Sequence, residues 1–353
     1  MALTLEQWKE ILNAIEFNNN PGDVLEQVKA KLKEQCFDTY QKWKRKGFDV
    51  NHLFNVLLNT LHYQIDIRCT LLHMAALNGH LDTVKYLVDK ENVDINKANN
   101  DGNTALHYAT LTSCLDIVKY LVEKGADVNI INNNGNTASH LAAQISELDV
   151  AKFLIAHEIK LKGSKAQKPG YLTKHREISE YWDKCLNEVK KMKEEKIDQG
   201  ITFYDVLISK DNKLASYIKN KNIKKRLETG NYQTEFPIYA SKIQSQYKKG
   251  KDRAILLDKG EDSIIKIVNI GCGKHLPEVS SVSEKIVRYL TNDDIENLNK
   301  ATENLPKGIK RKALFEEDKS SAKYFAVSKA ERCSSSLSDT KVESLCQARS
   351  MEN

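Results

Sequence analysis

Apolar positions recur along the first half of the chain with helical spacing. In "LDIVKYLV" (115–122), Val118, Leu121 and Val122 fall at i, i+3 and i+4, so the segment predicts a helix with one apolar stripe. The same text returns as "LDTVKYLV" (81–88) and "LDVAKFLI" (148–155). A shorter apolar pattern stands ahead of each copy: "CTLLHMAA" (69–76), "DGNTALHYAT" (101–110) and "NTASHLAA" (136–143). Thr70, Thr104 and Thr137 begin these patterns, each suited to cap a helix with its hydroxyl. Before the second and third stand "NNDG" and "NNNG", residues that tolerate positive φ and favour a tight turn. Gly125 suits the left-handed position that ends a helix.

Aligned on those threonines, the pattern repeats after 34 residues (70 to 104) and then 33 (104 to 137). The extra residue of the first interval lies in "DKENVDIN", where the next copy reads "EKGADVN". One such pair of helices cannot bury its own apolar stripe, so copies must stack.

Residues 65–163 thereby resemble three ankyrin repeats, with "GNTALH", "LDIVKYLVEKGADVN" and "GNTASH" as the closest text. Two positions depart from that pattern. Arg68 stands at the turn glycine of the first unit and Glu158 at the helix-ending glycine of the third, as expected at the edges of a stack. His73, His107 and His140 recur with the repeat. Stacked copies lie about 10 Å apart, one helix width, which excludes a shared metal. Each histidine is expected to bond its own threonine and the adjacent turn.

Upstream, "KGFDVN" (46–51) copies "KGADVN" (124–129), so residues 1–64 are expected to form a helical N-terminal cap built on a diverged repeat. Its helices are placed around "LEQWKEILNAI" and "DVLEQVKAKLKEQCFDTYQKWK"; Leu5, Trp8, Ile11, Leu12 and Ile15 trace one face of the first. The stretch "HLFNVLLNTLHYQID" (52–66) alternates loosely and fits a longer hairpin reaching beyond the others. Residues 164–172, with lysines, glycine and proline, read as a linker. Residues 173–315 read as a helical region without a repeat, opening with one helix that turns Ile178, Trp182, Cys185, Val189 and Met192 inward. Residues 316–353 are polar and serine-rich and are expected to be disordered.

Within that region, "HLPEVSSVSEKIVRYLTNDDIENLNKA" (275–301) predicts two short apolar helices joined by a turn at "TNDD". The segment resembles a degenerate F-box, with two extra residues between Pro277 and Ile286 and Ile295 at a leucine position. Ankyrin repeats, a helical middle and a terminal Leu-Pro motif together resemble ankyrin proteins of intracellular bacterial symbionts of arthropods, and the related poxviral arrangement that ends in a PRANC-like segment. That resemblance implies a host-directed effector or adapter: the repeats take a protein, and Leu276, Pro277, Ile286, Leu290 and Ile295 dock the Skp1 subunit of a ubiquitin ligase. The alternative is a plain ankyrin scaffold whose C-terminal helices only cap the stack.

Composition narrows the remaining chemistry. The 353 residues carry a net charge of +6, but basic clusters such as "KNKNIKKR" are interleaved with acidic or polar residues, which favours solvated helix faces over a nucleic-acid groove. Seven scattered cysteines without paired spacing suggest reduced thiols, hence a cytoplasmic setting. No secretory signal pattern opens the chain and no apolar run could cross a membrane, so export into a host cell would use a non-classical route. "NIGCGKH" fails as a phosphate loop, having Val268 and His275 where glycine and Ser/Thr are required. Cys272 with His275 supplies only half a zinc site. Cys185 and Cys272 are the thiols an enzyme reading would use, but no local motif supports either.

The expected fold is therefore all-α: a short ankyrin solenoid, a helical C-terminal region and a loose tail. The expected activity is protein binding, with no catalysis, cofactor or metal. The contact surface is placed on Asn100, Asp101, Asn103, Leu111 and Thr112 in the second repeat and on Asn133, Asn134, Asn136, Gln144 and Ile145 in the third. Leu111 and Ile145 are the stronger anchors, being apolar where an exposed helix end should be polar.

Overall fold

A threonine stands at the N-cap of the first helix of the chain and of the first helix of each repeat. In a computed structural model, which describes residues 2–16, 24–59, 64–91, 93–230, 232–272 and 279–303, the chain divides into two units, Met1–Lys190 and Lys191–Asn353. Strand β1 (Leu3–Thr4) runs into α1 (Leu5–Asn13), where Thr4 Oγ1 accepts the Gln7 N–H at 3.2 Å and Gln7 Oε1 accepts the Thr4 N–H at 2.9 Å. The stretch expected as one second helix is two, α2 (Val24–Gln35) and α3 (Phe37–Arg45), broken at Cys36, whose φ of −148° and ψ of 77° are not helical.

The N-terminal region is not wholly helical. Strands β2 (Phe54–Asn59) and β3 (Gln64–Cys69) form an antiparallel hairpin, and β1 pairs parallel with β2. Alternation explains it: Phe54, Val56, Ile67 and Cys69 are buried while Asn55, Asp66 and Arg68 face out. Trp8 and Trp43 pack edge-on against Phe54, at 4.9 and 5.2 Å between ring centres. This hairpin occupies the place where the later repeats have a short turn.

The repeats follow as three helix pairs: α4 (Leu71–Leu77) with α5 (Leu81–Lys90), α6 (Ala105–Leu111) with α7 (Leu115–Glu123), and α8 (Ala138–Gln144) with α9 (Leu148–Lys162). First helices pack on first helices and second on second. Ala75, Ala76, Ala109, Ala142 and Ala143 are sealed between layers, where larger side chains would hold the helices apart. Helix α7 ends at Gly125, whose φ is +99°. Without a glycine at 158, α9 runs on to Gly163, whose φ is +61°.

Residues 164–172, expected as a linker, lie in and between two 3-10 turns, Gly163–Lys165 and Gly170–Lys174, with Ala166 and Leu172 buried. Helix α10 (Arg176–Glu194) then buries Ile178, Trp182, Cys185, Val189 and Met192, as its spacing predicts.

The second unit opens with a small hairpin, β4 (Lys196–Asp198) and β5 (Ile201–Thr202). Helices α11 (Phe203–Ile208), α12 (Asp211–Lys219), α13 (Lys221–Thr229) and α14 (Tyr232–Glu235) follow, and then the long α15 (Ala240–Cys272). The chain returns through α16 (Val279–Tyr289) and α17 (Asn292–Glu303). Helix α15 is the axis on which α11, α12, α14, α16 and α17 pack. Glycine within a helix costs about 1 kcal/mol relative to alanine, and two glycines of α15 have a steric reason. A Cβ at Gly250 would lie 3.0 Å from Leu214 and Ile218 side-chain atoms, and one at Gly260 would lie 2.8 Å from Ile295 Cγ2.

Candidate interaction surfaces

The layers of the first unit are joined by a polar ladder. Three Asp-x-Asn turns recur at 49–51, 94–96 and 127–129, each closed by the aspartate accepting the asparagine N–H at 2.9 to 3.1 Å. Between layers, Asn51 Oδ1 accepts the Asp94 N–H at 2.7 Å, and Asn96 Oδ1 accepts the Asp127 N–H at 2.8 Å. The ladder therefore begins one layer before the first helix pair, within "KGFDVN".

The turns ahead of α6 and α8 are built alike. Asn99, buried, accepts the N–H groups of Asp101 and Asn103 through Oδ1, and Asn132 does the same for Asn134 and Asn136. Adjacent turns are then tied together. The Arg68 N–H donates to Asn100 Oδ1 at 2.7 Å, linking the β2–β3 hairpin to the next turn. Asn132 Nδ2 donates to Asn103 Oδ1 at 2.8 Å, and the Asn133 N–H and Nδ2 donate to the carbonyls of Asp101 and Asn100, each at 2.9 Å.

The histidines add the third link. His73 Nδ1 accepts the Thr70 N–H at 3.1 Å, so its Nε2 carries the proton and donates to the Asn103 carbonyl at 3.0 Å. His107 repeats the arrangement with Thr104 and the Asn136 carbonyl. Burial disfavours a charged ring and pushes His73 down to about 4; His107 is lowered by the same cause. Both are neutral structural bridges. His140 has no further layer above it: its ring stacks on Tyr171 at 4.1 Å and its Nε2 faces Gln144 Nε2 at 3.3 Å. The expected bond to an adjacent turn is replaced there by an aromatic cover.

These bonds sort the residues expected at the contact surface. Asn100, Asp101, Asn103, Asn133 and Asn136 use side-chain or main-chain groups to hold the turns in register, and Thr112 Oγ1 donates to the Tyr108 carbonyl at 3.1 Å. Gln144 is engaged with His140, while the Asn134 side chain is exposed. Leu111 and Ile145 remain 41% and 40% exposed where α6 and α8 end. Beside them Ser113 and Ser146 adopt φ of +57° and +62°, at the position where the first repeat has Gly79 with φ +76°. A non-glycine residue in that region is strained.

In the second unit, Leu276 and Pro277 lie outside the described residues. Leu290 and Ile295 are buried with Val287, Leu298, Ala254 and Leu257 in one cluster, so both face inward, while Ile286 is half-buried. The turn between α16 and α17 caps α17 as its sequence predicts, with Thr291 Oγ1 accepting the Asp294 N–H and Asp294 Oδ2 accepting the Thr291 N–H. Sequence reasoning missed what fastens it. Arg253, 5% exposed, donates to Asn212 Oδ1, Asn292 Oδ1 and the Leu290 carbonyl at 2.7 to 2.8 Å. One guanidinium thus joins α12, α15 and the turn before α17. "KKGKDRAILL" reads as an ordinary basic helix face, and nothing in it marks Arg253 as the inward residue.

Of the thiols singled out from sequence, Cys185 is fully buried and Cys272 carries no described side chain. Among the described residues no group of three or more His, Cys, Asp or Glu could hold a metal, and no helix is long and apolar enough to cross a membrane.

Stacked helix pairs joined by polar turns are the architecture of an ankyrin-repeat stack. Family comparison agrees: residues 47–132 match ankyrin repeats (3 copies) and residues 111–155 match ankyrin repeats (many copies). Residues 198–300 match the PRANC domain. The chain thus carries two kinds of interaction domain, ankyrin repeats followed by a PRANC domain. No curated protein matches it.

Proposed function

We propose that the chain is an adapter: the ends of the first repeat helices grip a partner protein, and the PRANC domain brings that partner to the Skp1 subunit of a ubiquitin ligase in a host cell. The observation carrying the first half is the pair Leu111 and Ile145, exposed one layer apart on a rigid stack. A surface held in place by internal bonds loses little conformational entropy on binding. Apolar side chains ringed by polar ones supply the anchors of such an interface. The second half rests on the PRANC match. In this reading Leu290 and Ile295 keep the α16–α17 hairpin folded, while docking falls to Leu276, Pro277, Ile286 and the 60% exposed Tyr289.

The burial of Leu290 and Ile295 also favours a second reading, in which α16 and α17 are ordinary core helices and the chain is a scaffold only. Purified Skp1 and the full chain decide between them. The adapter predicts a complex that the Leu276→Ala/Pro277→Ala double variant abolishes and Leu111→Asp/Ile145→Asp leaves intact. Absence of any complex removes the ligase role and leaves the scaffold. For the repeat surface, partners cross-linked to the full chain in host lysate should depend on Leu111 and Ile145; a set unchanged by the double aspartate variant refutes that surface.

A further inference from the structure

The last layer of the ankyrin stack keeps its bonding groups but has no layer to bond. Asn51 and Asn96 each receive an N–H from the following Asp-x-Asn turn, whereas Oδ1 of the equivalent Asn129 has no partner among the described residues. In the turn, the Asn100 and Asp101 carbonyls and Asn103 Oδ1 are all filled by Asn132 and Asn133. Their counterparts one repeat later are the Asn133 and Asn134 carbonyls and Asn136 Oδ1, and no described donor reaches them. Three carbonyl or amide oxygens of the turn and one of the ladder thus lack, among the described residues, the donors that their counterparts have one layer below.

The cap over this end is selective. Tyr171 stacks on His140 and its hydroxyl lies 3.0 Å from Ser139 Oγ, so the 3-10 turns cover the helix side of the layer. Between them and the last turn lies a cleft of about 550 Å³. Ile131, 61% exposed, and Pro169 give it apolar wall, and three lysines line it: Lys162, Lys165 and Lys168. Lys162 pairs with Glu158, and Lys168 makes an exposed pair with Asp183, of a kind worth little. Lys165 has no ion pair among the described residues. The cleft is basic, and Asn129 on its wall offers an acceptor to a backbone donor; the free oxygens of Asn133, Asn134 and Asn136 belong to the adjoining turn, outside the cleft lining.

We propose that this end cleft, together with the turn beside it, binds an acidic, extended segment of a partner protein, whose backbone N–H groups take the places that Asp127 and Asn133 take in the layer below, while its carboxylates meet Lys165 and Lys168. The segment acts as the turn of a missing fourth repeat. Main-chain donation supplies affinity and the lysines select charge, as when a strand is added to a sheet edge. This site is separate from Leu111 and Ile145 and does not depend on their role.

The test uses the full chain and a fluorescein-labelled decapeptide of alternating Asp and Val, followed by anisotropy. Saturable binding is expected, weakened about tenfold or more by Lys165→Glu/Lys168→Glu, and weakened by a similar factor when alternate peptide nitrogens are methylated. Asn136→Ala should weaken it about threefold, its main-chain bonds being kept. The Leu111→Asp/Ile145→Asp variant should bind the peptide normally. Three results would overturn the proposal. They are no binding at about 1 mM peptide, equal binding by the alternating Lys and Val peptide, and equal binding of the methylated peptide, which would leave a charge effect alone. Sedimentation showing a dimer of the chain that the lysine variant dissolves would assign the cleft to a second copy and equally overturn it.

Discussion

The two units hold their helices by opposite means. In residues 1–190 the same few bonds recur from one layer to the next, by Asn51 and Asn96, by His73 and His107, and by the asparagines of successive turns. In residues 191–303 each fastening is made once: one buried arginine, two close-approach glycines and one long axial helix. Repetition spreads stability over nearest neighbours, so injury to a layer stays local. A single core concentrates it, so one side chain can matter to every helix. The three tryptophans, at 8, 43 and 182, all lie in the first unit, so tryptophan fluorescence follows that unit while far-ultraviolet dichroism follows both.

The largest expected effect is at the single fastening. Arg253→Ala removes three hydrogen bonds, strands the Leu290 carbonyl and leaves a cavity, together about 4 kcal/mol. Urea unfolding followed by dichroism should shift to a lower midpoint while the tryptophan transition stays in place. Movement of both together would mean that the two units do not unfold separately.

Acid should do the reverse. His73 ionises near 4 in the folded chain and near 6.5 when unfolded, so between those values the unfolded chain holds more protons. The first unit's stability is thus full above pH 6.5 and declines as pH falls toward 4, by about 3 kcal/mol for His73, with His107 acting in the same direction. Residues 191–303 include one histidine, His275, outside the described structure. The tryptophan midpoint should therefore fall between pH 7 and pH 4 more than the dichroism attributable to the second unit, and His73→Gln should flatten the fall. A tryptophan midpoint constant over that range would refute the neutral-bridge account.

Next in size is the contact between α15 and α17. Gly260→Ala places a methyl 2.8 Å from Ile295 Cγ2 and 3.1 Å from Val287 Cγ1, both in the sealed cluster. Overpacking of this kind costs about 1–3 kcal/mol, more than the helix propensity alanine restores. Dichroism should show a lower midpoint for the variant, and a raised one would show that the helices can part at that point.

Repetition is also what made the first unit legible. The threonine caps, the alanines between layers and the apolar stripes each appear three times, so their roles follow from comparing the chain with itself. The hairpin before the first repeat was partly visible through the alternation in 52–66, and "KGFDVN" showed where the cap joins the stack. The Asp-x-Asn ladder was equally visible as text, but its bonds run between layers, and spacing along one chain does not show which oxygen meets which N–H. Residues 164–172 read as a linker because lysine, glycine and proline dominate them, while the contacts that matter, Tyr171 and Leu172, are single residues. Non-repeated elements have no internal control. Leu290 and Ile295 fit an exposed docking face and an inward core face equally well as sequence, and only their burial with Val287 and Leu298 in one cluster separates the two.

The smallest effect probes why the repeats differ among themselves. Gly79, Ser113 and Ser146 occupy the same turn between first and second helices, all with positive φ, yet only the first is glycine. An L side chain in that region costs about 1–2 kcal/mol, part of which glycine loses again through its freer unfolded chain. Ser113→Gly and Ser146→Gly should therefore each raise the tryptophan-reported stability by about 0.5–1 kcal/mol, additively, since the sites are one layer apart with no shared partner. The two serines adjoin Leu111 and Ile145, so the proposed partner surface includes them. If the strain is kept for binding, the stabilised double variant will capture less of the Leu111- and Ile145-dependent partner than the parent chain. Unchanged capture with higher stability would show that the serines are only tolerated, and would confine the grip to the two apolar side chains.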